Sequence, residues 1–93
     1  MLKKGVIMSI KLHLMGELIT LIGRKTVSIE ISKPTSLKEV LRSGLQQGII
    51  TTPVFNEIIE GKYMVISDKK QITLEDKVEM FDEIYIIPPI QGG

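Results

Sequence analysis

Glu83-Ile84-Tyr85-Ile86-Ile87 is an almost wholly apolar run that Pro88-Pro89 stops, ahead of Ile90-Gln91-Gly92-Gly93. Apolar side chains at both parities mark a strand covered on both faces rather than a half-solvated one. Ile84 and Ile86 point to one face, Tyr85 and Ile87 to the other. Proline donates no amide hydrogen to a ladder, so pairing ends at Pro88. A strand of this kind belongs in the middle of a sheet. The rest of the chain must therefore supply neighbours for both of its edges and a layer across at least one face.

The neighbours are legible upstream. From Val6 to Leu14 the even positions are Val6, Met8, Ile10, Leu12 and Leu14, and the odd ones Ile7, Ser9, Lys11 and His13. This alternation predicts a half-buried strand with His13 on its more polar face. Thr26 to Ser32 repeats the pattern, with Val27, Ile29 and Ile31 on one side and Thr26, Ser28, Glu30 and Ser32 on the other. Two adjacent alternating strands predict a hairpin. Their connection, residues 16–23, encloses Leu18, Ile19, Leu21 and Ile22, more apolar than a turn requires. Extensions of both strands and an apolar loop fit that composition equally.

Pro34 closes the second strand, and Ser36 with Glu39 makes a capping box, so a helix is expected from Leu37. Leu37, Val40, Leu41 and Leu45 then follow at spacings of three and four, giving one apolar stripe. Gly44 weakens this helix and Gly48 stops it. Pro53 suits a first helical position, and Val54, Phe55, Ile58 and Ile59 form a second, shorter stripe ending before Gly61. Tyr63 to Ser67 is expected as a strand, Asp68-Lys69-Lys70 as a turn, and Gln71 to Thr73 as a short return.

A hairpin, a crossover helix and a doubly apolar last strand are satisfied together if that strand lies beside the first, with the helix across one face. The expected class is α+β: a β-grasp, or ubiquitin-like, roll. It has a mixed sheet of about four to five strands, one main helix and a short second helix. Residues 1–87 would form the domain, and residues 88–93 an extended C-terminal Pro-Pro-Ile-Gln-Gly-Gly tail.

With 93 residues the chain holds one domain, which excludes a multidomain enzyme. Its 43% apolar and 25% charged content is that of a globular protein. A formal net charge of +1 without a basic block gives no reason to expect direct contact with nucleic acid. There is no Cys, so disulfides, thiolate metal sites and thiol nucleophiles are excluded, and the single His13 builds neither a metal site nor a triad. Near the start only Val6, Ile7 and Met8 are consecutive and apolar, short of the roughly 7 to 15 residues of a signal peptide. No membrane association is expected, and the expected location is the cytoplasm.

The segment from Asp82 to Gly93 resembles the C-terminus of the MoaD and ThiS sulfur-carrier proteins, small ubiquitin-like folds whose last strand follows an Asp-Glu pair and whose tail ends in Gly-Gly. The Pro-Pro-x-x-Gly-Gly ending is more similar to MoaD. Phe81 stands where MoaD-like sequences usually place a glycine, and Val65-Ile66 where they usually have Val-Asn.

The ending also has a physical logic of its own. Gly92 and Gly93 lack side chains and can enter a slot too narrow for any other residue, while Pro88 and Pro89 favour an extended backbone. Six residues from Pro88 to Gly93 span up to about 20 Å.

The resemblance implies that Gly93 is adenylated and then carries a thiocarboxylate, and that the chain is the MoaD-like small subunit of molybdopterin synthase in molybdenum cofactor biosynthesis. It implies no bound cofactor and no metal. ATP is used by a MoeB/ThiF-like adenylating enzyme, and the second partner is a MoaE-like large subunit. Gly92, Gln91, Ile90, Pro89 and Pro88 would form the tail. By strand parity Tyr85 and Ile87 face away from Ile84 and Ile86, which leaves two readings open: a docking surface, with Ile90 as a further anchor beyond the core, or cover by residues 16–23 or by self-association. A ubiquitin-like protein modifier, or a sulfur carrier for tRNA thiolation or thiamin synthesis, would need the same activated terminus. His13 is expected to be a surface residue, and Asp82 and Glu83 turn formers and contacts for basic partner residues.

Overall fold

The structure, a computed structural model, describes residues 8–78 and 83–88. In chain order its elements are β1 (Met8–Leu14), α1 (Glu17–Ile22), β2 (Thr26–Ile31), β3 (Thr35–Ser36), α2 (Leu37–Gln46), α3 (Thr52–Ile59), β4 (Met64–Ser67), β5 (Lys70–Gln71), β6 (Lys77–Val78) and β7 (Glu83–Ile87). Five strands make one sheet in the order β2-β1-β7-β4-β5, so the doubly apolar strand is central as its composition requires. It runs parallel to β1, with Leu12 opposite Ile84 and Leu14 opposite Ile86. On its other edge it runs antiparallel to β4, with Val65 opposite Ile86. The β1–β2 hairpin pairs Ile10 with Ile29 and Leu12 with Val27.

Alternation then sorts the side chains. Ile10, Leu12, Ile29, Ile84 and Ile86 are fully buried, and they meet Leu37, Val40 and Leu41 of α2 in one core. The capping residue is the one the sequence indicates: Ser36 Oγ accepts from the Glu39 amide at 3.3 Å. The other half of the box differs, because the Glu39 carboxylate accepts from Arg42 Nη1 at 2.9 Å. The first amides of α2 are met instead by a neighbouring loop, Leu37 N–H donating to Asp76 C=O at 2.8 Å and Lys38 N–H to Leu74 C=O at 3.0 Å. Gly48 ends the helix at φ 77°.

Three features depart from the expected layout. Residues 16–23 are neither strand extensions nor a loop but the helix α1, which Gly23 terminates at φ 90°. Leu18 drives it into the core at zero exposure, with Ile19 and Ile22 packed behind. The described residues thus hold three helices. β3 and β6 form a second, two-stranded ribbon with Thr35 opposite Val78. The turn after β4 is one residue shorter than expected: Asp68 and Lys69 both have positive φ, and Lys70 already pairs with Ser67. That geometry matches the twist of a two-residue hairpin.

Gly44, expected to be a weak point, is instead a contact. It is buried, and a methyl group there would stand 2.6 Å from Ile29 Cδ1 and 2.9 Å from Ile50 Cδ1. Helix α2 therefore rides directly on β2 because nothing projects from residue 44. The stripe swings onto Gly44 and leaves Leu45 half-buried. Beyond α2, the Gln47 side chain donates to Glu30 C=O at 2.8 Å and accepts from Glu30 N–H at 3.3 Å. It blunts an otherwise open sheet edge.

Tyr63, just before β4, is 8% exposed. Its hydroxyl donates to Glu57 Oε1 at 2.9 Å, with Glu17 Oε2 at 3.3 Å, and so ties α1, α3 and β4 together. Burial, and then the hydrogen bond to Glu57, hold the phenol well above its ordinary range.

Gly44→Ala is expected to destabilise the fold by about 1–3 kcal/mol in urea denaturation, overriding the better helix propensity of alanine. An unchanged or raised midpoint contradicts the contact. For Tyr63, the raised folded-state value means that its contribution is complete below the pH near 10 where an unfolded tyrosine ionises, and is lost as pH rises further. The wild type should therefore lose stability relative to Tyr63→Phe above about pH 10. Parallel stability curves from pH 8 to pH 11, roughly spanning that ionisation, would remove the buried-phenol account.

Candidate functional site

The open face of the sheet is where exposed apolar side chains collect. Outward-facing residues follow from register: Tyr85 of β7 stands opposite His13 of β1 and Ile66 of β4, and Ile87 opposite Met64. Tyr85 is 36% exposed and Met64 44%, while Ile66 and Ile87 are half-buried. Four apolar side chains on two neighbouring strands thus form one continuous patch. Polar residues rim it: Gln71 opposite Ile66, and Lys11 opposite Glu83. An apolar centre with a polar margin is the anatomy of a protein-docking surface.

Helix α1 does not cover this face, since its apolar side is committed to the core through Leu18. Cover by residues 16–23, the alternative to docking, is thus not what these residues provide. With α1 turned inward, Tyr85 and Ile87 are brought together with two residues that the sequence reading passed over, Met64 and Ile66. The missing signal was the pairing of β4 beside β7, which alternation within β4 alone does not give.

Polar contacts hold the centre of the patch. The His13 ring stacks on Tyr85, centroids 4.5 Å apart and planes 18° from parallel. His13 Nε2 and Glu83 Oε1 are 2.8 Å apart, and Thr26 Oγ1 lies 3.3 Å from His13 Nδ1. His13 is thus a half-buried residue of the open face, stacked on Tyr85. Glu83 is a strand residue whose carboxylate is engaged by His13. Asp82 lies outside the described residues.

At the end of β7, Pro88 is half-buried and packs on Gly16, the residue that starts α1. Pro89, Ile90, Gln91, Gly92 and Gly93 lie outside the described residues, as does Ile7. Among the described residues no group of three or more His, Cys, Asp and Glu could hold a metal ion. Nor is any helix among them long and apolar enough to cross a membrane. The chemistry that this arrangement can support is presentation: a rigid body with an apolar face, and a last strand that delivers the chain to one end of the sheet.

No protein-family model matches the chain. It is 30% identical over 87 residues to the molybdopterin synthase sulfur carrier subunits of Caenorhabditis briggsae and Caenorhabditis elegans, covering 91% of this chain and 98% of each of those. Among solved structures, SAMP1 from Haloferax volcanii superposes with a TM-score of 0.71 at 18% identity, over 91% of this chain and 99% of that one. A chain of the protein-protein complex of subunits 1 and 2 of the molybdopterin-converting factor from Helicobacter pylori does so with a TM-score of 0.59 at 23% identity, over 92% and 100%. These likenesses bear out the β-grasp fold expected from the order of strands and helices.

Proposed function

The chain belongs to the family of molybdopterin synthase sulfur carrier subunits, and from that premise we propose that it is a MoaD-like sulfur carrier, the small subunit of a molybdopterin synthase. The observation that carries this reading is near-full-length relatedness to proteins named for that role. The apolar open face and the Gly92-Gly93 ending support it.

In this reading residues 1–87 are the folded body and residues 88–93 the working tail. The Gly93 carboxylate attacks the α-phosphorus of ATP within a MoeB/ThiF-like adenylating enzyme, and pyrophosphate leaves. Sulfur at the sulfide level, as hydrosulfide, then attacks the acyl carbon; the acyl–phosphate bond breaks, AMP leaves, and a thiocarboxylate remains with one sulfur in place of one oxygen. ATP belongs to the activating enzyme, and the reaction runs in the cytoplasm.

Gly92 and Gly93 present no β-carbon to a narrow slot, Gln91, Ile90 and Pro89 carry them there, and Pro88 sets the base of the tail. Tyr85, Ile87, Ile66 and Met64 dock on a MoaE-like large subunit, which accepts the tail and its sulfur. The family resemblance of the ending and the solved pairing of subunits in the Helicobacter pylori complex support this partner.

A protein-modifier role draws support from the likeness to SAMP1, but at 18% identity that likeness extends to the fold alone. Thiol-resistant, high-mass conjugates in cell extracts would favour it over the carrier.

Two variants separate the tail from the docking face. Deletion of Gly93 should abolish sulfur transfer while leaving the melting temperature and the affinity for the large subunit unchanged. Tyr85→Ala should leave Gly93 able to become a thiocarboxylate but weaken the affinity for the large subunit by about tenfold or more, as loss of a central aromatic anchor does. Sulfur transfer retained without Gly93 would sink the carrier reading.

A further inference from the structure

Among the described glycines, Gly16 differs in kind. Gly23, Gly48 and Gly61 have positive φ but open space around the position of a β-carbon. Gly44 has the reverse, close neighbours without a positive φ. Gly16 combines both constraints. Its φ of 62° and ψ of −137° are the mirror image of an ordinary extended residue, and a methyl group there would stand 2.7 Å from Pro88 Cγ and 3.5 Å from Pro88 Cδ.

Register explains why these two residues meet. β1 and β7 run side by side in parallel as far as Leu14 and Ile86. Two residues further on, one chain must turn away while the other continues. Gly16 makes that turn, bending β1 into α1 so that Leu18 reaches the core. Pro88 occupies the space left beside it. Its ring is fused to the backbone, so whatever seats the ring also sets the direction of the chain.

We propose that Gly16 is a positioning residue for the chemistry at the C-terminal carboxylate. It forms the seat on which Pro88 rests and so sets the orientation of the Pro88 ring at the end of β7. This inference rests on the sulfur-carrier reading given above. Any β-carbon at residue 16 would press on Pro88 Cγ and lift the ring from its seat at the end of β7. An activated terminus is sensitive to such an error, since modest misplacement of a reacting group costs orders of magnitude in rate.

The test is a double-mutant cycle on thiocarboxylate formation by the adenylating enzyme, with Gly16→Ala, Pro88→Ala and the pair. With Pro88 present, Gly16→Ala should lower kcat by about tenfold or more and leave KM within about twofold. In the Pro88→Ala background, where the ring is gone, the same substitution should cost no more than about twofold. An equal loss in both backgrounds would overturn the proposal, because Gly16 would then act through α1 rather than through Pro88. Unchanged kcat in a folded Gly16→Ala protein would overturn it too.

Should Gly16→Ala fail to fold, the contact is read in the wild type as nuclear Overhauser effects between the Gly16 α-protons and the Pro88 ring. Their absence overturns the proposal. A wild type that gains no sulfur beside a competent enzyme instead refutes the carrier reading, and leaves the seat to be judged by those same effects.

Discussion

Leu12 and Leu14 of β1 pair in parallel with Ile84 and Ile86 of β7, and every other element of the molecule is arranged to permit that pairing. Two parallel strands cannot be joined by a tight turn, so the chain between them must leave the sheet and return. Helices α2 and α3 make that crossover and cover one face. β4 then closes the second edge of β7. The arrangement joins positions far apart in sequence: His13 and Glu83, 70 residues apart, meet across the pair. Bringing such distant segments together costs chain entropy that only the completed core repays.

Placing the last strand in the middle divides the labour of its side chains. Ile84 and Ile86 are fully buried and hold the fold, while Tyr85 and Ile87, one residue out of phase, face outward beside Ile66 and Met64. The same strand thus supplies both core and an outward apolar patch. His13 belongs to this division, stacked on Tyr85 and within hydrogen-bond distance of Glu83. The strand also delivers Pro88 to the end of the sheet, where Gly16 receives it.

Much of this was legible in the residues. Strong alternation gave β1 and β2, the Ser36 cap gave the start of α2, and the apolar run at residues 83–87 gave the central strand. What escaped was short or non-local. In six residues, α1 shows too little periodicity to be told from an apolar loop, and its glycine ends suit both. The β3–β6 ribbon has two residues on each side, a pattern too brief to register. Gly44 was misjudged because propensity describes an isolated helix, whereas here Ile29 and Ile50 occupy the space a side chain would need. At the candidate site, Tyr85 and Ile87 followed from parity within one strand. Met64, Ile66 and Gly16 depended on which strands became neighbours, which only the assembled sheet reveals.

The carrier reading places an activated carboxylate at Gly93. Its most direct test is the intact mass of the protein after incubation with ATP, an adenylating enzyme of the proposed type and a sulfur source. A gain of about 16 Da is expected, one oxygen replaced by sulfur at an acyl carbon, confined on fragmentation to the peptide ending in Gly93. An unchanged mass, beside an enzyme that thiocarboxylates another carrier in the same mixture, would contradict it.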